Sequence, residues 1–311
     1  MLLTPQHHIG KITVVSLNKE ILKMNNFVIH TDSACDLKPA TLAEWGVPYT
    51  SLTFRFDGED KEYANDGMSA SDFYAKMRDG GIAKTAAVNT ATVKANFETS
   101  LKDGKDVLYI GFSGGLSTTY NSARLAAEEL RAAYPDRKIL TVDSLCASAG
   151  QGMLVRLALD KQAEGATIEE TAEYTEKLVP KIDHWFTVDD LVYLKRGGRV
   201  SPTVAFVGNM LGIKPVLHVD NEGHLTSVLK VRGRKSSIAA LADKYGELAD
   251  KLDSDMVYIS NGDCEKDAAE LANILSTRYG AKVTIITDVG PVIGAHAGPG
   301  VLALFFVGKE R

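Results

Sequence analysis

Long apolar runs are missing from this chain: no window of its 311 residues approaches the ~18 consecutive apolar side chains that a membrane-crossing helix needs. Cysteine is scarce. Cys35, Cys146 and Cys264 lie far apart, are odd in number and form no CxxC pair, which argues against a disulfide framework and a thiolate zinc site and fits a reducing cytoplasm. His30, His184, His218 and His224 show neither HxxxH nor HExxH spacing, so no metal site is expected. No glycine loop is followed by Lys-Ser or Lys-Thr, which disfavours an ATP site and self-contained phosphoryl transfer. Positive charge is not in excess either; a net charge of -5 gives no field that would recruit nucleic acid or anionic lipid. Residues 1–23 carry Lys11, Lys19, Glu20 and Lys23 among their apolar residues and lack the unbroken core of a signal peptide, so they are left unassigned, as an extension or an overlong start.

What is present is ordinary in bulk and informative in order. Apolar content of 45% with 24% charged residues suits a soluble globular protein, and the length predicts two domains. From Asn26 onward, short apolar runs alternate with amphipathic stretches: Phe27 to Thr31 before Pro39 to Trp45, Asp106 to Ile110 before Thr119 to Ala133, and Lys138 to Val142 before Leu145 to Asp160. Strand followed by helix, repeated, predicts a parallel α/β sheet. In the second half, Ile213 to Val219 and Leu225 to Val231 flank Asp220–His224 (DNEGH), a hairpin signal that predicts antiparallel pairs. The expected architecture is thus α/β, with a parallel-sheet three-layer domain over 24–170, a mixed-sheet domain over 171–311, and no linker between them.

Five clusters carry candidate chemistry. The run Gly294–Gly300 (GAHAGPG) between two strand-like segments reads as a binding loop whose one strong donor or acceptor is His296. Thr31–Asp36 (TDSACD) ends the first strand, where ligands bind in open α/β sheets, although capping and turn roles fit the same residues. Gly111–Thr119 (GFSGGLSTT) offers hydroxyls and backbone N–H groups ahead of a helix, with Ser117 as its expected N-cap, and suits an anion. Its first five residues also satisfy G-x-S-x-G, so a serine hydrolase using Ser113 or Ser117, with Asp143 and His296, is the second reading; the residues between Ser113 and the helix argue against it. Lys84–Thr90 reads as a loop with Thr85 in it and Asn89 or Thr90 as the following cap. Leu194–Ser201 brings Lys195, Arg196 and Arg199 beside two glycines, and Arg199 together with Lys214 could address a carboxylate or phosphate.

Taken in order, Ile29–Leu37, Gly115–Ala123, Val142–Ser144, Leu194–Arg199, Leu211–Pro215 and Gly294–Gly300 closely resemble the DegV family from about Phe27 to Lys309. The resemblance implies a two-domain α/β protein that is not an enzyme and needs no cofactor. It implies a long-chain fatty acid in a buried tunnel between the domains, presented to a separate fatty acid kinase subunit or carried in lipid transport. By the same resemblance Thr85 and Ser117 match the residues that hold the carboxylate, and His296 and Arg199 match the motifs around the head group, with Ser113 beside them. Ala86, Val88, Thr118 and Ala297 depart from the family's usual Ser, Pro, Gly and Thr at those places. For the tail, Leu145 to Leu159 and Val204 to Leu211 are the apolar candidates, which fit plain core helices as well.

Overall fold

The computed structural model describes residues 26–200, 212–250 and 256–311; the segment 1–23 and the stretch Val204 to Leu211 lie outside them. The chain opens with β1 (Phe27–Asp32), α1 (Pro39–Glu44) and β2 (Tyr49–Thr50). A small antiparallel sheet follows, in which β3 (Thr53–Phe56) pairs with both β4 (Tyr63–Ala64) and β5 (Ala83–Ala86), with α2 (Ala70–Arg78) inserted before β5. Then come α3 (Thr90–Lys102), β6 (Asp106–Gly111), α4 (Thr119–Ala133) and β7 (Ile139–Asp143). The first sheet is parallel throughout, in the order β2-β1-β6-β7. Its central strand shows why: Val107, Leu108, Tyr109 and Ile110 are all fully buried, so both faces need a cover, as the helices of a parallel sheet provide. On one face α3 and α4 pack through Val93, Phe97, Ala123, Ala127 and Leu130, and on the other lie α5 (Ala149–Ala163) and α6 (Ile168–Leu178).

The second sheet is mixed. It contains β8 (Ile182–Thr187), β9 (Ile213–Val219), β10 (Leu225–Arg232), β11 (Met256–Asn261), β12 (Lys282–Asp288) and β13 (Leu302–Val307), in the order β10-β9-β8-β13-β11-β12. Of these paired strands only β11 and β12 run parallel; the expected hairpin joins β9 to β10. Side chains alternate along β13: Leu302, Leu304 and Phe306 meet α8 (Arg234–Leu248) and α9 (Glu265–Tyr279), while Ala303, Phe305 and Val307 belong to the core around α5. Two short helices, α7 (Val192–Gly197) and α10 (Pro291–Ala297), pack together near the junction of the sheets. The division expected at 170/171 falls inside α6, which rests on β7; the chain turns toward the second sheet at Val179–Lys181.

Helix α5 is common to both sheets. Ala149 through Val155 are all buried, Arg156 is the first partly exposed position, and Leu157 and Ala158 are buried again. The helix touches β1 and β6 on one side and β8, β11 and β13 on the other. Two glycines permit this. A Cβ on Gly150 would lie 2.2 Å from His184 Nε2, and one on Gly152 would lie 2.8 Å from Leu37 Cγ. Positions two apart on a helix point about 200° from each other, so Gly150 admits the second sheet and Gly152 admits the segment that follows β1.

A polar seam accompanies this packing. Asp36, held at φ 50°, accepts hydrogen bonds from Ser148 Oγ at 2.6 Å and from Gly290 N at 3.0 Å. Its carbonyl accepts from Thr287 Oγ1 at 2.8 Å, and Ser148 Oγ also contacts Ser260 Oγ at 2.9 Å. Burial pushes the Asp36 carboxyl up to about 7 despite the bonds from Ser148 and Gly290, and Asp183 on β8 is likewise pushed up to about 7 by burial. A folded value above the ordinary one means that each acid's contribution to stability is complete at low pH and is lost as pH rises toward 7. Between about pH 4 and pH 7 each should lower the unfolding free energy by about 1.4 kcal/mol per pH unit. Neutral burial of His30, His184, His218 and His296 gives the opposite slope below about pH 6.5, so the test is a difference: as pH rises across this range, the urea unfolding free energy of the parent should fall relative to that of Asp36→Asn, which tolerates the same backbone. An unchanged slope in the variant would contradict the assignment.

Candidate functional site

A cavity of about 370 Å³ lies between the carboxyl end of β6, the strand β5, α10 and the α5-facing surface of the second sheet. Small-molecule sites commonly occupy about 300–1,000 Å³. Most of its wall is apolar, with Phe112, Phe186, Val219, Val301, Ala303 and Phe305 prominent in it. Thr85, Ser117, Arg199 and His296 all line it, so residues far apart in sequence share one space. Ser113 is not among its lining residues.

The local structure at these four residues differs from the sequence expectation in instructive ways. Thr85 sits in β5 rather than in a loop, paired with Phe54 of β3, and Asn89 caps α3 by accepting from Thr92 N at 2.9 Å. His296 lies in the last turn of α10, not in a loop. Pro291 opens that helix and Gly298, at φ 81°, follows it, an arrangement of Pro at the start and Gly past the end that suits a helix. Gly294 is needed for packing: a Cβ there would fall within 2.4 Å of Tyr74 Oη. Helix α4 starts at Thr119 with Thr118 as N-cap, and Ser117 Oγ accepts from Thr119 N at 3.2 Å. The expected cationic turn is the end of α7, where Gly198 takes the left-handed conformation and Arg199 follows.

These positions give a defined set of hydrogen bonds. Thr85 Oγ1 and His296 Nε2 are 3.0 Å apart, and Ser117 Oγ and Thr119 Oγ1 are also 3.0 Å apart. Thr119 Oγ1 accepts from Val88 N at 3.3 Å, which ties the segment after β5 to the start of α4. Arg199 donates to Leu116 O at 3.3 Å and to Gly197 O at 2.5 Å; its described partners are carbonyl oxygens, so its charge is not met by a described carboxylate. His296 Nδ1 is buried without a partner among the described residues, against Gly197, where a Cβ would lie 2.1 Å away. Burial, with the Arg199 charge added, lowers the His296 imidazole to about 4, so it is neutral at physiological pH. Hydrogen on Nε2 avoids stranding a donor at Nδ1, and Thr85 Oγ1 then accepts, leaving its own O–H to donate into the cavity.

The hydrolase reading finds no triad: Ser117 shares the cavity with His296, but its described hydrogen bonds are with Thr119. Ser113 is fully buried and donates to Gly223 O at 2.9 Å, fastening the β6 loop to the β9–β10 hairpin. Asp143 accepts from Gly114 N and Leu145 N, both at 3.1 Å, and closes a turn. The described partner of His296 is Thr85 rather than a serine. The reason is the spacing: α4 does not begin until Thr119, too far beyond Ser113 for a nucleophile held at a strand-to-helix elbow. Lys214 pairs with Asp189 at 2.6 Å and does not line the cavity. Asp32 acts behind the site: it accepts from Tyr109 Oη at 2.6 Å and Phe112 N at 2.9 Å, positioning the Phe112 ring that forms part of the wall.

Sequence reading misses Ser148 and His184, which also line the cavity. Ser148 has φ 53° just before α5, where the pattern suggests uninterrupted helix from Leu145. His184 sits within an apolar strand; its Nδ1 pairs with Ile182 O at 2.9 Å and burial holds it neutral. No histidine pair or motif marks it. Among the described residues no group of histidine, cysteine and acidic side chains is arranged to hold a metal, and no helix is long and apolar enough to cross a membrane.

Titration of His296 followed by its ring C–H resonances should give a midpoint near 4, and Arg199→Met should raise that midpoint by removing a neighbouring positive charge. A midpoint near 6.5 in the parent chain would show a solvated ring and contradict the site geometry.

The sequence and the architecture have close counterparts. A DegV domain-containing protein of Clostridium perfringens is 38% identical over 289 residues, covering 93% of this chain and 99% of the relative, and one of Streptococcus pyogenes is 35% identical over 286 residues, covering 91% and 99%. Among solved structures, a DegV lipid binding protein of Thermotoga maritima superposes with a TM-score of 0.78 at 29% identity, covering 92% of this chain and 99% of the other. A Thermus thermophilus DegV family protein, described by its fatty acid binding, gives 0.80 at 26% identity with 91% and 99% covered. The sequence profile of the DegV family, whose description is that of uncharacterised proteins, matches residues 26–309, and with these relatives and this fold the chain belongs to the DegV family.

Proposed function

We propose that this protein binds a long-chain fatty acid, with its carboxylate among Thr85, Ser117, His296 and Arg199 and its tail along the apolar wall, between the domain of the parallel sheet and the domain of the mixed sheet. The observation that carries this reading is the segregation of the cavity lining: two hydroxyls, a guanidinium with no carboxylate partner among the described residues, and a neutral imidazole, beside an otherwise mostly apolar surface. Fatty acid binding by the Thermus thermophilus relative, and by a Thermotoga maritima protein at 28% identity and a TM-score of 0.77, supports it. Each buried methylene contributes about 0.8 kcal/mol, so a long tail gives on the order of 10 kcal/mol before ordering costs. Affinity then comes from the tail, and the head group needs positioning. Hydroxyl donors hold a carboxylate without burying it in a bidentate ion pair, which leaves it available to accept a phosphoryl group from a separate kinase subunit. In this reading the chain is a cytoplasmic carrier or non-catalytic subunit, with no cofactor and no chemistry of its own.

Native mass spectrometry of the purified protein, followed by denaturing extraction, should release a stoichiometric fatty acid. Thr85→Ala combined with Ser117→Ala should weaken binding by at least about tenfold, the scale of one charge-assisted hydrogen bond, while unfolding stays cooperative. An empty protein that also refuses added fatty acids would refute the proposal. Labelling of Ser113 or Ser117 by a fluorophosphonate would instead favour the hydrolase.

A further inference from the structure

Val301, bonded back to Gly298 just past the helix that carries His296, starts a stretch of cavity wall that continues through Ala303 to Phe305, with Phe186 and His184 of β8 alongside. Val301 to Phe305 spans about 13 Å along an extended strand. The register pairs Ala303 with Phe186 and Phe305 with His184, so the two aromatic rings of the last pair stand side by side. They meet edge to face, with centroids 5.3 Å apart and planes at 87°.

That pair has nowhere to retreat. Behind it is α5, where a Cβ on Gly150 would lie 2.2 Å from His184 Nε2 and 2.9 Å from Phe305 Cδ1. The imidazole is also fixed in its plane by Nδ1 against Ile182 O at 2.9 Å and by Ala147 N at 3.4 Å from Nε2, and burial keeps it uncharged. An apolar tail running from the head group meets a small side chain at Ala303 and then two rings braced by a helix. We infer that the His184–Phe305 pair is the stop that sets the longest acyl chain this cavity accepts, and that Ala303 keeps the path to it open. This rests on the fatty acid reading above and adds its length selectivity.

The test is a competition series of straight-chain saturated fatty acids of graded length, read by displacement of a fluorescent fatty acid from the full chain and from its variants. Ala303→Leu fills existing space and should cost the longest bound acids on the order of tenfold while sparing the shorter ones. Phe305→Leu should shift the profile the other way, admitting acids longer than the parent accepts; Ala303→Val serves as a milder form of the first change, with thermal unfolding confirming that each variant is folded. An unmoved profile, or an equal loss at every length, in folded variants would overturn the stop while leaving fatty acid binding intact. A parent chain that binds none of the series would overturn the fatty acid reading and the stop with it.

Discussion

Everything in this fold turns on a helix that has no wet side through its first turns. Ala149 to Val155 of α5 are buried throughout, so one sheet cannot satisfy the helix; an apolar surface facing both ways must be covered from both ways. Gly150 and Gly152 let the covers come close enough to pack at van der Waals contact, one against His184 and Phe305, the other against Leu37 and the backbone of Cys35. The parallel sheet and the mixed sheet are held in register with each other by this shared layer. The cavity lies at the amino end of the same helix, and its position follows from where the two covers diverge.

The seam beside that helix is polar and buried, which sets it apart from an ordinary core. Asp36 joins Ser148 of the first half to Gly290 and Thr287 of the second, and Ser148 reaches on to Ser260. Such groups are costly to bury unless each is met by a partner, and their directional bonds allow fewer relative placements of the two sheets than apolar contact alone. Ser148 belongs to this seam and to the cavity wall, so the geometry of the junction and the geometry of the site are the same geometry.

Around Thr85, Ser117, His296 and Arg199 the cavity wall carries little charge. His296 is neutral because burial and the nearby Arg199 disfavour its proton, and Thr85 is oriented by it. Arg199 is held by the carbonyls of Leu116 and Gly197, so its position is fixed before any anion arrives. Under the proposed function, this arrangement would place a carboxylate rather than bury it permanently.

Much of this is legible in the sequence. Val107 to Ile110 and the segments after them announce a parallel sheet because an all-apolar strand needs helices on both faces, and the DNEGH turn announces a hairpin because its composition suits a reversal between two strands. The motif order identifies the family, since six segments in fixed sequence are hard to match by chance. Local pattern misreads the elements that carry the site. Thr85 reads as a loop residue because β5 is four residues long and half exposed, and the GAHAGPG run reads as a loop because Gly294 serves contact with Tyr74, a partner remote in sequence. Ser113 fits a nucleophile pattern that only the path of the following residues can dismiss. By itself, then, the sequence determined the strand and helix order and which side chains carry chemistry, because those depend on neighbours along the chain. Which of them share a cavity, which are caps or stitches, and where the cavity ends were decided by tertiary structure, because those are properties of pairs far apart in sequence and close only once α5 is covered on both sides.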